Sequence, residues 1–377
     1  MTKRHIPYVV SSTVVLGAFL GATPASAAHP VHVVHPGESI QQAVDAARSG
    51  DTVLVQAGTY HESVKVTTSG ITLRGVGPAT VLEPAAPKAA STAQATKTMK
   101  TMKATRATQT PQAPKSCAEQ GNGICVVGTK TEPVRNVTVA DLAVTGFSRI
   151  GVVAVGADGL TVRGVTADRN GQWGIAEERS TRSVYRNDTA RSNGDAGLFL
   201  ANTISAEQGA TDTGGTVLDH NRLADNRIGI TVRRLRNLTV KHNVLTGNCA
   251  GLFVVGDENK PKAGALTVSH NLIEQNDKYC AATARLPFLQ GSGIILTGAD
   301  DTLVTHNLVS GNSGASPLSG GIVLFKSFVG ATSERNRITA NSLAGNGPAD
   351  LVNQEAAKSS NIFQRNLCRA SKPAGLC

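Results

Sequence analysis

Charged residues fall in pairs along this chain: Glu178 with Arg179, Arg233 with Arg234, Asp257 with Glu258, and Asp300 with Asp301. Each pair follows a short apolar run, so a repeating architecture would bring the pairs to one offset in successive repeats. Two kinds of chemistry are open to such a cluster. Asp257 and Asp300 could serve as a general acid and base, with Arg233 beside them. Alternatively, Asp257, Glu258, Asp300 and Asp301 could give oxygen ligands to Ca²⁺, which accepts several carboxylates in flexible geometry. Arg179 and Arg234, with Glu178, would then hold an acidic sugar through charge-assisted hydrogen bonds. Against both stands the plainer reading that charged residues at turns are solvated and nothing more.

Two further sets recur with the same rhythm. Phe199 and Phe253 alternate with Leu198 and Leu252 in glycine-led strands, so they point away from the core, as do Thr231, Ile295 and Val323. That apolar outer stripe is either a platform for sugar rings or a partner, or a surface covered by loops such as Tyr279 to Ser292, which contains Leu286-Pro-Phe-Leu289. His220, His242, His270 and His306 each precede an asparagine and so form a column of imidazoles. A column of this kind suggests a metal site, or else a turn preference copied by duplication. Trp173, Glu177 and Asp188 stand alone and support no site by themselves.

These residues are positioned by an internal repeat. From Asn136 onward a short apolar run ends in Asn, a second run ends in another Asn, and a third run begins at Gly. Examples are Val217-Leu-Asp-His-Asn221 with Asn226 and Gly229-Ile-Thr-Val232, and Leu238-Thr-Val-Lys-His-Asn243 with Asn248 and Gly251-Leu-Phe-Val254. In four units the two asparagines stand five residues apart, a constant spacing between loops of varying length that implies a fixed turn. Three short strands per repeat without a helical pattern predict an all-β fold, a right-handed parallel β-helix with three faces. Each strand would pair with its counterpart about 4.8 Å away in the next coil. Asn187, Asn221, Asn243, Asn271 and Asn307 are assigned to a corner ladder, because Asn tolerates a left-handed bend and its amide can bond to the Asn above and below. The open ends of the stack require caps. Ser39-Ile-Gln-Gln42 has the form of a capping box, and Ile40, Ala43, Val44 and Ala47 recur at helical spacing before Gly50, which predicts an amphipathic capping helix.

Lys3 and Arg4, the apolar run Val9 to Leu20 and the small residues Ala25-Ser26-Ala27 read as a signal peptide, residues 1–27. Export to the extracellular space is expected, with no membrane span in the mature chain. The remaining segments are a cap and opening coils over 28–83, a flexible basic low-complexity loop over 84–116, and β-helix repeats with a C-terminal disulfide cap over 117–377. Six cysteines in an exported chain predict disulfides. Cys117 with Cys125 and Cys368 with Cys377 would close local loops, and Cys249 with Cys280 would join neighbouring coils. The formal charge is +10, but Lys3, Arg4, Lys88, Lys97, Lys100, Lys103, Arg106 and Lys115 lie in the signal and the basic loop; removing these eight leaves +2. Specific nucleic-acid binding is therefore not expected, since no basic helix with aromatic neighbours is present.

Ser39-Ile-Gln-Gln-Ala-Val44, Gly50-Asp-Thr-Val-Leu-Val55, Gly58-Thr-Tyr-His-Glu62 and Ile71-Thr-Leu-Arg-Gly75, together with the asparagine repeats, resemble the pectin-lyase-like superfamily, and within it NosD-type and pectate-lyase-like repeats. The resemblance implies the fold and leaves the chemistry open, because that scaffold carries lyases, hydrolases, esterases, epimerases and non-catalytic proteins. The signature segments of pectin methylesterases, polygalacturonases and alginate epimerases have no counterpart here. The expectation is a monomer that binds or modifies extracellular polysaccharide, with acidic sugars as candidates; if it is an enzyme, it is a lyase or glycoside hydrolase. The alternatives are a non-enzymatic interaction rod and, through the NosD likeness, copper handling at the histidine column. No motif demands a cofactor, and Ca²⁺ is the ion the carboxylate pairs suggest.

Overall fold

A computed structural model describes residues 29–85, 116–355 and 360–377. The segment expected to be a signal peptide, and residues 86–115 of the basic low-complexity stretch, lie outside them.

The repeated runs form three parallel sheets of 13, 10 and 11 strands, here sheets 1, 2 and 3 in the order the chain visits them within one coil. Each strand pairs with the equivalent strand of the next coil, and the register is set by inward apolar residues. In sheet 1, Tyr185, Leu218, Val240 and Val268 align. In sheet 3, Leu198, Ile230, Leu252, Ile294 and Ile322 align, and all five are buried in one continuous core. A slip by one residue would turn every one of them to the outside, which is why alternation specifies the pairing. Full burial of each such side chain contributes about 1.5–3 kcal/mol.

Two asparagine ladders hold the corners. The first, between sheets 1 and 2, runs through Asn221, Asn243, Asn271, Asn307, Asn341 and Asn366; each Asn Oδ1 accepts both the backbone N–H and the side-chain amide of its predecessor. The second, between sheets 2 and 3, runs from Asn170 through Asn193, Asn226, Asn248, Asn276 and Asn312 to Asn346, where Asp350 accepts the last amide. Contrary to expectation, Asn187 is not in the ladder: it holds the left-handed position (φ 56°) shared with His220, His242, His270 and His306. The ladder place in that coil belongs to Asp188, whose Oδ1 accepts the Val165 N–H and whose own N–H donates to Asn221. The left-handed bend is thus made by the residue before the ladder asparagine, a position where Asn and His are both tolerated.

The capping helix spans Ile40–Ala46, with Ile40 and Val44 buried against the first coil. Ser39 accepts the Gln42 N–H. The reciprocal half of the box is replaced by Glu62, whose carboxylate takes the Ser39 hydroxyl and the N–H groups of Ile40 and Gln41; a carboxylate is well placed at a helix start. Across the basic loop the coils continue without a break, since Val64–Val66 pairs with Ile124–Val127. The three disulfides are Cys117–Cys125, Cys249–Cys280 and Cys368–Cys377. At the last coil, Phe363, Cys368 and Leu376 pack on the core. No helix among the described residues is long and apolar enough to cross a membrane.

Candidate functional site

Sheet 3 carries the sequence's proposed platform, and its outer face is covered. Phe199, Phe253, Ile295 and Val323 sit in a second apolar cluster with Trp173, Leu289, Leu318 and Phe325. Phe199 stacks on Trp173 with centroids 3.9 Å apart and planes 5° from parallel, and Phe253 is 3% exposed. Neither ring offers a face to a sugar. The loop 278–291, tied down by Cys249–Cys280, brings Leu286 and Leu289 onto this cluster. Trp173 therefore has a packing role that its isolation in the sequence concealed.

The post-strand pairs are only partly in register. Glu178 and Arg233 occupy one column, two coils apart with Ala201 between them. Asp257 begins an inserted loop, and Asp300 aligns with Gly264 and Arg236 instead. The grouping of close ligand atoms found among the described residues is not made of Asp257, Glu258, Asp300 and Asp301. Asp257 accepts from Arg234 Nη1 at 3.1 Å and from the Asn259 N–H. Asp300 is buried, and its Oδ2 pairs with Arg335. Both acids are thus paired with arginines, Asp257 with Arg234 and Asp300 with Arg335. Glu178 pairs with its neighbour Arg179 at 3.1 Å.

What remains at this edge is a concentration of positive charge. Arg234 is buried, with a side chain 2% exposed; Nη2 donates to the Thr203 carbonyl and Nε has no partner. Arg233, half-buried, donates from Nη1 to the Ile204 carbonyl. Burial pushes the Arg233 guanidinium pKa down, and the nearby charges of Arg234 and Arg285 push it further, against the opposing effect of Glu207 and Asp257. Arg285 was not anticipated; it lies on the loop that covers sheet 3, where no repeat pattern points to it.

The histidine column is the other polar concentration. Centroids of His220, His242, His270 and His306 are 4.7, 5.4 and 5.2 Å apart in succession. Asp219, also not singled out beforehand, is buried beneath two of the rings. Its Oδ1 lies 2.7 Å from His220 Nδ1 and 3.0 Å from His242 Nδ1, and its Oδ2 accepts from Arg186 at 2.9 Å. Burial raises the Asp219 pKa, but the hydrogen bonds from His242, Arg186 and His220 outweigh it and hold the carboxyl below the usual range. One ligand atom from each of Asp219, His220 and His242 falls within 4.8 Å of the others, a metal-capable grouping. An Asp-His pair at the end of a sheet 1 run, one coil before another His, was the signal available for it.

Two family profiles match the chain. The right-handed beta helix region matches residues 115–264, and the periplasmic copper-binding protein (NosD) family matches residues 201–367, a span containing all four column histidines. No curated protein matches. Among solved structures, the mannuronan C-5 epimerase AlgE6 A-module of Azotobacter vinelandii superposes with a TM-score of 0.52 at 18% identity, covering 87% of this chain and 94% of that one. The alginate lyase of Paenibacillus sp. gives 0.51 at 15% identity over 88% and 95%. DFA-IIIase of Arthrobacter chlorophenolicus gives 0.52 at 11% over 89% and 83%. Stacked parallel coils, asparagine-lined corners and these likenesses together show that the chain has the fold of a right-handed parallel β-helix.

Proposed function

We propose that this protein is an exported β-helix that binds an acidic polysaccharide, with the edge beyond sheet 3 as its contact surface. The observation that carries the reading is the crowding of Arg234 and Arg285 around Arg233, whose pKa is pushed down first by burial and then by those two charges, against the smaller opposing effects of Glu207 and Asp257. A carboxylate-bearing sugar would supply the missing negative charge through paired N–H···O bonds to a guanidinium. Arg179 extends the edge two coils away, next to Glu178, which is in register with Arg233 through Ala201. The named substrates of two similar structures, mannuronan and alginate, are consistent with an acidic glycan. Binding is favoured over turnover because Asp257 and Asp300 are engaged by arginines. The test is retention on an array of acidic and neutral glycans at two salt concentrations. Selective retention of polyuronates that weakens with salt is expected; retention of none, or of neutral glycans alone, would remove the proposal.

A second reading, copper handling, has one observation in its favour: the coils matched by the copper-binding family hold the Asp219, His220 and His242 grouping. Two imidazole nitrogens and a carboxylate oxygen form a donor set that suits Cu²⁺.

A further inference from the structure

The column contains four imidazoles but only one carboxylate. Asp219 aligns in sheet 1 with Lys241, Ser269 and Thr305, so each later coil places a cation or a hydroxyl where Asp219 stands in its own. His306 Nδ1 is already within 2.9 Å of Thr305 Oγ1. Arg186 occupies Asp219 Oδ2 and leaves Oδ1 facing both His220 and His242. The end of the column that meets Asp219 is therefore oriented by a carboxylate, whereas the coils of His270 and His306 carry Ser269 and Thr305 in its place; Lys241 stands between, beside His242.

We propose that Asp219, His220 and His242 form a single site for one borderline divalent ion of the Cu²⁺ or Zn²⁺ class, and that His270 and His306 do not form a second site of comparable affinity. Imidazole and carboxylate donors select this class over Ca²⁺ or Mg²⁺, which require mostly oxygen. Asp219 Oδ1 lies 2.7 Å from His220 Nδ1 and 3.0 Å from His242 Nδ1, and donors about 2.0–2.2 Å from a shared tetrahedral ion stand roughly 3.4 Å apart, so a small side-chain adjustment would admit an ion. His220 and His242 lie on adjacent coils whose spacing is fixed by the sheet, and Arg186 orients the carboxylate from behind, as an outer partner of a metal ligand does. The inference gives residues and stoichiometry to the copper reading and is independent of glycan binding.

The test uses untagged mature protein, with Cu²⁺ and Zn²⁺ separately as probes, in calorimetric titration and, for Cu²⁺, electron paramagnetic resonance. One tight equivalent is expected, with nitrogen superhyperfine splitting from two imidazoles and no heat with Ca²⁺. His220→Ala and His242→Ala should each weaken that equivalent at least tenfold, and His306→Ala should leave it unchanged. Asp219→Asn should also weaken it, but its carboxylate is buried, so the exposed His220 provides the decisive variant if Asp219→Asn fails to fold. Wild-type affinity in the His220→Ala, His242→Ala double variant would overturn the site while leaving copper handling possible elsewhere. Absence of any binding by the wild type would overturn both.

Discussion

Asp188 occupies an asparagine's place, and replacing it with Asn should stabilise the protein. In the coils that follow, each ladder amide makes two bonds that a carboxylate cannot: Asn221 Nδ2, for example, donates to the Tyr185 carbonyl and to Asn243 Oδ1. Asp188 Oδ2 is instead buried without a partner, and burial holds its pKa well above the usual carboxylate value. By analogy with Asn221, the amide introduced by Asp188→Asn would reach the Val162 carbonyl and Asn221 Oδ1. Satisfying one buried orphan is worth about 1–3 kcal/mol. The pH dependence has a defined sign. A group whose folded pKa is raised contributes stability that is fully present below the unfolded pKa and is lost as pH rises through the folded one. Asp188→Asn should therefore differ little from wild type in acid and gain on it progressively toward neutral and alkaline pH. Urea unfolding monitored by circular dichroism at several pH values measures this. A variant less stable than wild type at pH 8, or a difference that does not change with pH, would refute the assignment of Asp188 to the ladder.

Other substitutions test neighbouring parts of the structure. Tyr185→Phe removes the hydroxyl that donates to Glu177 at 2.6 Å inside the coil; it should cost about 1–3 kcal/mol in urea unfolding, and no loss would mean that the pair is not formed. Asn243→Ala takes away the acceptor used by both the N–H and the amide of Asn221, so it should cost several times what an exposed change such as Arg222→Ala costs, and equal effects would count against the ladder. Removing the Cys249–Cys280 disulfide with paired serines should lower stability by about 2–4 kcal/mol and increase binding of a hydrophobic dye as the cover over Phe253 loosens; unchanged dye binding would contradict that cover.

The architecture was legible because its signals repeat. Alternation placed Leu198, Ile230, Leu252, Ile294 and Ile322 inside, and the five-residue asparagine spacing located both ladder columns from Asn221 onward. Asn187 misled because its coil has Asp at the next position, so an asparagine of the turn looked like one of the ladder. The polar edge was harder to read, since register fails wherever a loop is inserted: residues 257–262 displace Asp257 from the column that the glycine-led strands suggest. Asp219 and Arg285 acquire their roles through contacts with other coils, one beneath His242 and the other on a covering loop, and neither contact leaves a periodic trace. Glu177 and Asp188 looked isolated because alternation alone does not flag a carboxyl facing the core, where each is buried.

Glycan recognition of the kind proposed requires Arg233 to meet the carboxylates of the polymer. Titrating an oligouronate into wild type, Arg233→Ala and the exposed Arg74→Ala at low salt tests that requirement most directly. A loss of at least tenfold in affinity confined to Arg233→Ala is the predicted result, and an affinity unchanged by Arg233→Ala would contradict it.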